Sequence, residues 1–381
     1  MESDKAHGPD GFSIHFFKVC WPIIKSDMLR MVLAFQSKVK MGGCTNSNFL
    51  ALVPKDVNSS SFDRFRPISL CNSSYKITAK LLANRFKPLL GKLISPLQGG
   101  FVKGRHLVDN VIQVQEAIHS SFQTKEKGML IKLVMKNAFD RVKLPFLYDV
   151  LLSFGFCPKF VNLIKACTNQ PWIAPLVNGR PIEFFKASRG LRQGCPMSPF
   201  LYILMVESLS RKLLVEKEAG FLPGIKIARE IDPINHDIFA NDSLLLGGAS
   251  LMIARAFNFF LQKLCQSSRD LINKIKSGVY GWNVDQCALH RISDFFGFSG
   301  YDKWDKITYL GLPLTLGKTT PSLWLDVLAK LKKKITSWGG QWLSKAEKLI
   351  LIKSVLSAFL VFQSTLFLDP KSISSQIAKI L

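Results

Sequence analysis

The sequence predicts an α+β chain of two or three subdomains, and three observations carry that prediction. Short runs alternate apolar and polar residues as strands do, while longer runs repeat apolar residues at three- and four-residue steps as helices do. The chain has 381 residues, of which 48% are hydrophobic and 29 are Phe. That is enough to bury a large core, and it excludes a disordered segment. The formal net charge is +24, so the natural partner is a polyanion, with nucleic acid ahead of an anionic membrane surface.

The eight cysteines include no C-x-x-C pair and none sits near a histidine at metal-ligand spacing. They read as reduced thiols of an intracellular protein, nuclear or cytoplasmic, and not as a zinc site. Met1–Asp10 is charged and polar, unlike a signal peptide. The chain enters abruptly at GPDGF (Gly8–Phe12), as a truncated reading frame or a fragment would. The one membrane-like run, Leu349–Leu368, is interrupted by Lys353 and Gln363 and reads as a packed helix.

In chain order, a turn at Gly8–Phe12 precedes an amphipathic stretch from His15 to Gln36. Asn48–Pro54 and Phe65–Cys71 are strands, with Lys55 and Arg66 at their edges on either side of a polar loop. Two cations so placed suit a triphosphate, although solvated charges look the same. Tyr75–Leu93 is a basic helix carrying Lys76, Lys80, Arg85, Lys87 and Lys92. Gln98–Arg105 (QGGFVKGR) is a glycine-rich basic loop, and Asp109–Phe122 a helix.

Ile131–Lys136 (IKLVMK) alternates, with Ile131, Leu133 and Met135 on an apolar face and Lys132, Val134 and Lys136 on a polar one. Val134 is out of place there. Asn137–Val142 turns into a helix near Asp140, and Phe146–Ala166 continues helical. Trp172–Val177 and Pro181–Ala187 form a hairpin around Asn178-Gly179. Ser188–Phe200 (SRGLRQGCPMSPF) combines Arg189, Gly190, Arg192, Gln193 and Gly194 ahead of a helix that runs to Leu214. Pro196 and Pro199 bracket the helix start, where proline is tolerated. Such an opening suits phosphate, sugar or base contact.

His236–Gly247 is two apolar runs joined at Ala240-Asn241-Asp242, whose Asn and Asp are turn formers. Ala254–Lys276 reads as helical and Tyr309–Leu314 (YLGLPL) as a short strand stopped by proline. Ser322–Ser337 is a helix with Lys330, Lys332, Lys333 and Lys334, followed by Trp338. Ser344–Leu360 is a last long helix.

The order of IKLVMKNAFDRV, RGLRQGCPMSP, FANDSLL and YLGLPL, with GPDGF, FRPISLCN, KLISPLQGGFVKGR and SWGGQWLSKAEKLILIKSVL, spans nearly the whole chain. It resembles the reverse transcriptase domain of LINE-type (non-LTR) retrotransposons, particularly those abundant in plant genomes. The resemblance implies a right-hand polymerase fold: an N-terminal helical extension (1–48), fingers (49–128), an antiparallel-sheet palm (129–314) and a helical thumb (315–381). It implies RNA-templated DNA synthesis from deoxynucleoside triphosphates on a DNA primer, with two Mg²⁺ ions. Lys55 and Arg66 match the cations that meet the triphosphate, Phe139 the aromatic gate beneath the sugar, and Gln193 and Gly194 the loop that positions template and nucleotide. Lys276 matches a late palm lysine near the phosphates. Arg189, Arg192 and Lys330–Lys334 would track the RNA–DNA duplex backbone, a sequence-blind contact.

Where the family has metal-binding aspartates, this chain has Val134 and Asn241. Valine offers an ion no oxygen and asparagine a neutral one, whereas Mg²⁺ favours anionic oxygens. Asp242, the retained hairpin acid, is the candidate ligand left; Asp140 reads as a turn or helix cap. Cys195 stands where the family usually has aspartate. These departures imply a polymerase scaffold that is impaired or inactive, with a weakened polymerase, a non-catalytic nucleic-acid-binding scaffold and a relic that barely folds as alternatives.

Overall fold

The structure is a computed structural model that describes residues 1–3, 5–56, 59–317, 322–337, 343–356, 364 and 371–380. Trp338, residues 357–360 of the expected last helix, and most of 357–368 of the apolar run lie outside the described residues. Among those described, no helix is long and apolar enough to cross a membrane.

A five-stranded sheet forms the centre. It is ordered β10 (Ser299–Tyr301), β9 (Gly278–Trp282), β3 (Gly128–Val134), β8 (Asp242–Gly248), β7 (His236–Phe239). Its pairs are antiparallel except β9–β10. β3 is buried because both faces of the sheet are covered. Met129, Ile131 and Leu133 enter one apolar core with helices α3 (Ser73–Leu93), α8 (Ser198–Glu218) and α9 (Leu251–Ser268). Leu130 enters a second core with α4 (Leu107–Gln123), Trp282 and the small hairpin β11 (Lys306–Tyr309)–β12 (Leu312–Thr315). α8 runs through the first core with Leu201, Tyr202, Ile203, Leu204 and Met205 all buried, as expected of a helix apolar all round.

A second sheet is ordered β2 (Phe65–Cys71), β1 (Ser47–Pro54), β4 (Trp172–Val177), β5 (Arg180–Pro181), with β6 (Phe185–Lys186) also paired to β4. β1 and β4 are parallel, so the hairpin joins the two strands that carry Lys55 and Arg66. Its turn has Asn178 and Gly179 both at positive φ, as a two-residue hairpin requires. Helix α11 (Ser322–Ser337) packs Trp324, Val327 and Leu328 on Ile373 and Ile377 of the helix Lys371–Ile380.

Several expectations change. Phe146–Ala166 is two helices, α6 (Leu144–Ser153) and α7 (Pro158–Thr168), because Gly155 takes φ +85° between them. The helix expected to reach Lys276 stops at Ser268, where Arg269 turns left-handed. The following segment then returns along β3, with Met135 bridging Ile272. Tyr309–Leu314 is a hairpin and not one strand, because Leu310 and Gly311 take positive φ; Pro313 is tolerated in a strand with one ladder partner. β9, β10 and the helix between them, α10 (Gln286–Phe296), carried no distinct sequence signal.

Gly128 pairs with Trp282, and a side chain there would overlap the indole ring, which is buried and donates to Ser121 Oγ at 3.0 Å. Gly128→Ala is therefore expected to cost about 1–3 kcal/mol. It should lower the urea midpoint with an unchanged m-value.

Candidate nucleotide and nucleic-acid cleft

Between the two sheets lies a cleft of about 910 Å³ whose lining includes Lys55, Arg66, Val134, Phe139, Gln193, Asn241 and Lys276. Five of the six sequence-predicted nucleotide residues, Lys55, Arg66, Phe139, Gln193 and Lys276, are thus gathered in one place, while Gly194, exposed and next to Gln193, is not in the lining. At its floor the β3–β8 register sets Val134 opposite Asp242. Directly opposed residues share a sheet face, so the Val134 side chain neighbours the surviving carboxylate. Lys132, two residues back on the same face, donates to the Thr308 carbonyl at 2.7 Å. Burial raises the Asp242 carboxyl above its ordinary range, while Lys132 and Lys276 pull it back.

The Ser188–Met197 loop is tied to both sheets by backbone bonds. Gln193 O accepts from Ser69 N at 2.7 Å, Phe139 O from Leu191 N at 2.6 Å, and Val142 O from Gly190 N at 2.9 Å. Gly194 has φ +104°, and an added Cβ would lie 2.9 Å from Ser69 O, so the tie needs glycine. Gly190, at φ +89°, is pressed against Asp140 O in the same way. Phe139 stacks on Tyr202 with centroids 4.8 Å apart, leaving its other side to the cleft.

Some side chains do other than expected. Arg192 is buried and out of reach of nucleic acid. Its guanidinium stacks on Tyr75 at 3.9 Å, donates to Asn46 Oδ1 at 2.6 Å and also donates to the Cys167 carbonyl. Stacking and the two Nη2 hydrogen bonds replace part of its hydration, while Nη1 is buried with no hydrogen-bond partner among the described residues. Arg189 stays exposed. Asp140 does not cap a helix. It accepts from Gln193 Nε2 at 2.9 Å and so orients that amide, with its carboxyl raised by burial. Lys76 is also buried, donating to Ala6 O at 2.7 Å. In the hairpin the left-handed residue is Ala240 and not Asn241. Gln98 Oε1 fixes this turn by accepting from Ala240 N at 3.1 Å and Gly100 N at 2.9 Å. Lys330, Lys332, Lys333 and Lys334 are exposed on α11, away from the cleft lining.

The structure adds Arg64, Lys136 and Lys274 to the lining. Lys136 pairs with Asp63 at 3.3 Å, and its backbone N donates to Leu271 O at 2.7 Å. Lys274 was hidden by the helical reading of its segment, and Lys136 was visible on the polar face of its strand. Arg105, read as part of a basic loop, instead donates to the carbonyls of Gln98 at 2.6 Å and Ile94 at 2.8 Å. Among the described residues, no group of three or more His, Cys, Asp or Glu side chains could hold a metal ion.

The sequence matches the reverse transcriptase (RNA-dependent DNA polymerase) family over residues 53–314, and the chain belongs to that family. Its α+β architecture is the right-hand polymerase fold, and the family uses divalent metal ions. The chain is 31% identical over 207 residues to an uncharacterised 149 kDa protein of transposon TX1 from Xenopus laevis, covering 54% of this chain and 16% of that protein. It is 24% identical over 271 residues to the Pol polyprotein of the retrotransposable element R2DM from Drosophila melanogaster, covering 69% of this chain and 24% of the relative. The chain therefore spans a quarter or less of the length of these relatives. A solved telomerase from Candida tropicalis, in complex with a fragment of telomeric RNA, aligns with a TM-score of 0.48 and 14% identity, over 83% of this chain and 52% of that one.

Behind the cleft floor, Asp270 is 1% exposed, and neither carboxylate oxygen has a hydrogen-bond partner among the described residues. The nearby Tyr202 hydroxyl is likewise unpartnered. Burial pushes the Asp270 carboxyl up to about 6, with the adjacent Ser268 hydroxyl and then Arg141 offsetting only part of that. The sign follows from a folded value above the ordinary 3.8. The penalty is absent at lower pH, builds as pH rises between the two values, and is complete above the folded one. Asp270→Leu is expected to stabilise the protein by on the order of 3 kcal/mol more at neutral pH than near pH 4, where the ionisation penalty is gone. Urea denaturation of both chains at the two pH values checks this; the same difference between the chains at both would contradict it.

Proposed function

We propose that this reverse-transcriptase-like domain of a retrotransposon, of the plant LINE type its motifs resemble, binds template and primer but is catalytically impaired. The observation that carries the reading is the pairing of Val134 with Asp242 at the cleft floor. Two-metal polymerases place acids on neighbouring strands, about 4.8 Å apart, so that they share ions about 3.5–4 Å apart. Here the donor set is one carboxylate, a hydrocarbon opposite it and the neutral amide of Asn241 beside it. A pair of Mg²⁺ ions does not fit those residues, because Mg²⁺ demands near-octahedral, preferably anionic oxygen ligands.

The remaining parts keep binding roles. Lys55, Arg66 and Lys276 meet the triphosphate of a deoxynucleotide, and Phe139 lies beneath its sugar. Gln193, oriented by Asp140, and Gly194 present the loop to base and template. Arg189 and the exposed lysines Lys330, Lys332, Lys333 and Lys334 follow the backbone of an RNA–DNA duplex. Asp242 is the one acid left for a metal, and its neighbours Lys132 and Lys276 oppose an ion there.

Primer extension on an RNA template, in Mg²⁺ and in Mn²⁺, tests the proposal. The natural chain is expected to extend at least about 10³-fold more slowly than Val134→Asp/Asn241→Asp, the cost of several kcal/mol of metal-centred stabilisation. Equal extension by both chains would show that other acids serve the metals. If neither extends, duplex binding on the same samples separates a folded scaffold from a relic.

A further inference from the structure

We infer that the cleft binds the triphosphate of a nucleotide directly, without a divalent metal ion. The inference rests on the reading above that the cleft is the nucleotide site. In a metal-dependent site, carboxylates and phosphates repel each other unless a cation lies between them, so the metal is what makes binding possible. At this floor that repulsion is largely gone, because Val134 carries no charge and Asn241 a neutral amide. The surviving hairpin acid, Asp242, lies opposite Val134 but outside the cleft lining, and it feels Lys132 and Lys276.

The walls are the reverse of an acidic metal cradle. Lys55, Arg64, Arg66, Lys136, Lys274 and Lys276 line the cleft and outnumber its aspartates. The lining aspartates are three: Asp63 is paired with Lys136, Asp140 accepts from Gln193, and Asp56 sits beside Lys55, which leaves five of the six cations outside that pair. Ammonium and guanidinium groups bind phosphate oxygens by charge-assisted hydrogen bonds, with no need for an ion between. Arg66 comes from β2 and Arg64 from the short 3-10 turn just before it, Lys274 and Lys276 from the segment that follows α9. The two pairs therefore approach from different elements, which suits a chain of phosphates more than a single one. Mg²⁺ added to the solution competes for the same phosphate charge and has no carboxylate pair to bring it into the cleft.

Equilibrium binding of dGTP by calorimetry, once in EDTA and once in millimolar MgCl₂, tests this, with inorganic triphosphate as competitor. The natural chain is expected to bind dGTP in EDTA at least as tightly as in Mg²⁺, and inorganic triphosphate should displace it. Lys276→Glu, a substitution at an exposed position, should weaken binding in EDTA by about tenfold or more. Asp242→Asn should tighten it by up to about tenfold, because a like charge next to the Val134 floor position is removed. Val134→Asp/Asn241→Asp should reverse the preference and bind better in Mg²⁺. Binding by the natural chain only when Mg²⁺ is present would overturn the inference, and so would loss of binding in Asp242→Asn. Absence of dGTP binding in both buffers would overturn it too; duplex binding measured on that sample then shows whether the nucleic-acid reading survives on its own.

Discussion

The antiparallel register of β3 and β8 determines what faces the cleft. A slip of one residue would turn Leu133 onto the half-buried face of Lys132 and Val134, and Val134 into the first core, and several contacts forbid it. Met129, Ile131 and Leu133 fill one core while Leu130 fills the other. Gly128 fits only against the Trp282 ring, and Met135 is bridged to Ile272 beyond the strand end. The β7–β8 turn is held from outside by the Gln98 side chain. Placement of position 134 is therefore settled by packing far from the cleft, and its chemistry by whichever residue occupies it.

Arg192 plays a comparable part for the glycine loop. It reaches from that loop to the Cys167 carbonyl at the end of α7, the Asn46 amide beside β1 and the Tyr75 ring of α3. Desolvating a guanidinium is costly, and the site offsets that cost with stacking and hydrogen bonds from three separate segments. Its neighbours Tyr75, Cys71 and Cys167 are pushed upward by burial and stay neutral, so they add dipoles and no competing charge. The exposed Gly194 and the half-buried Gln193 thus sit on a rigid base, the usual arrangement of functional loops on a fixed scaffold.

Much of this was legible because it depends on local rules. The β2 strand, the Asn178-Gly179 hairpin and the proline-opened start of α8 follow from alternation, turn chemistry and helix-start chemistry. The cleft residues were legible through motif order, because each motif brings one wall. Arg192 was misread because an arginine in a glycine loop looks the same in sequence whether it points outward or inward. Lys274 and Lys276 were placed on a helix because nothing in the run Ala254–Lys276 announces a break. Arg269 makes that break in a left-handed conformation that sequence would assign to Gly or Asn. Ala240 takes a similar conformation in preference to Asn241, since Gln98, distant in sequence, supplies the hydrogen bond.

Those exceptions have a common location. Arg269 in a left-handed cap, Asp270 buried without a partner and Val134 beside a lone carboxylate all lie along the line where β3 meets the returning segment. Each breaks a local rule, although their backbones are held: Arg269 O accepts from Arg141 at 3.2 Å, and Val134 N donates to Ser277 Oγ at 3.1 Å. The core around them keeps its packing, because stability is spread over many apolar contacts of which each is small. Under the proposed reading, anion binding is spread in the same way, over the cations of the cleft wall on separate elements. Two-metal catalysis is not: it is concentrated in two carboxylates a strand apart, where a single substitution removes a whole ligand. Under the proposed reading, one set of substitutions can therefore leave folding and polyanion binding in place while removing the chemistry between them.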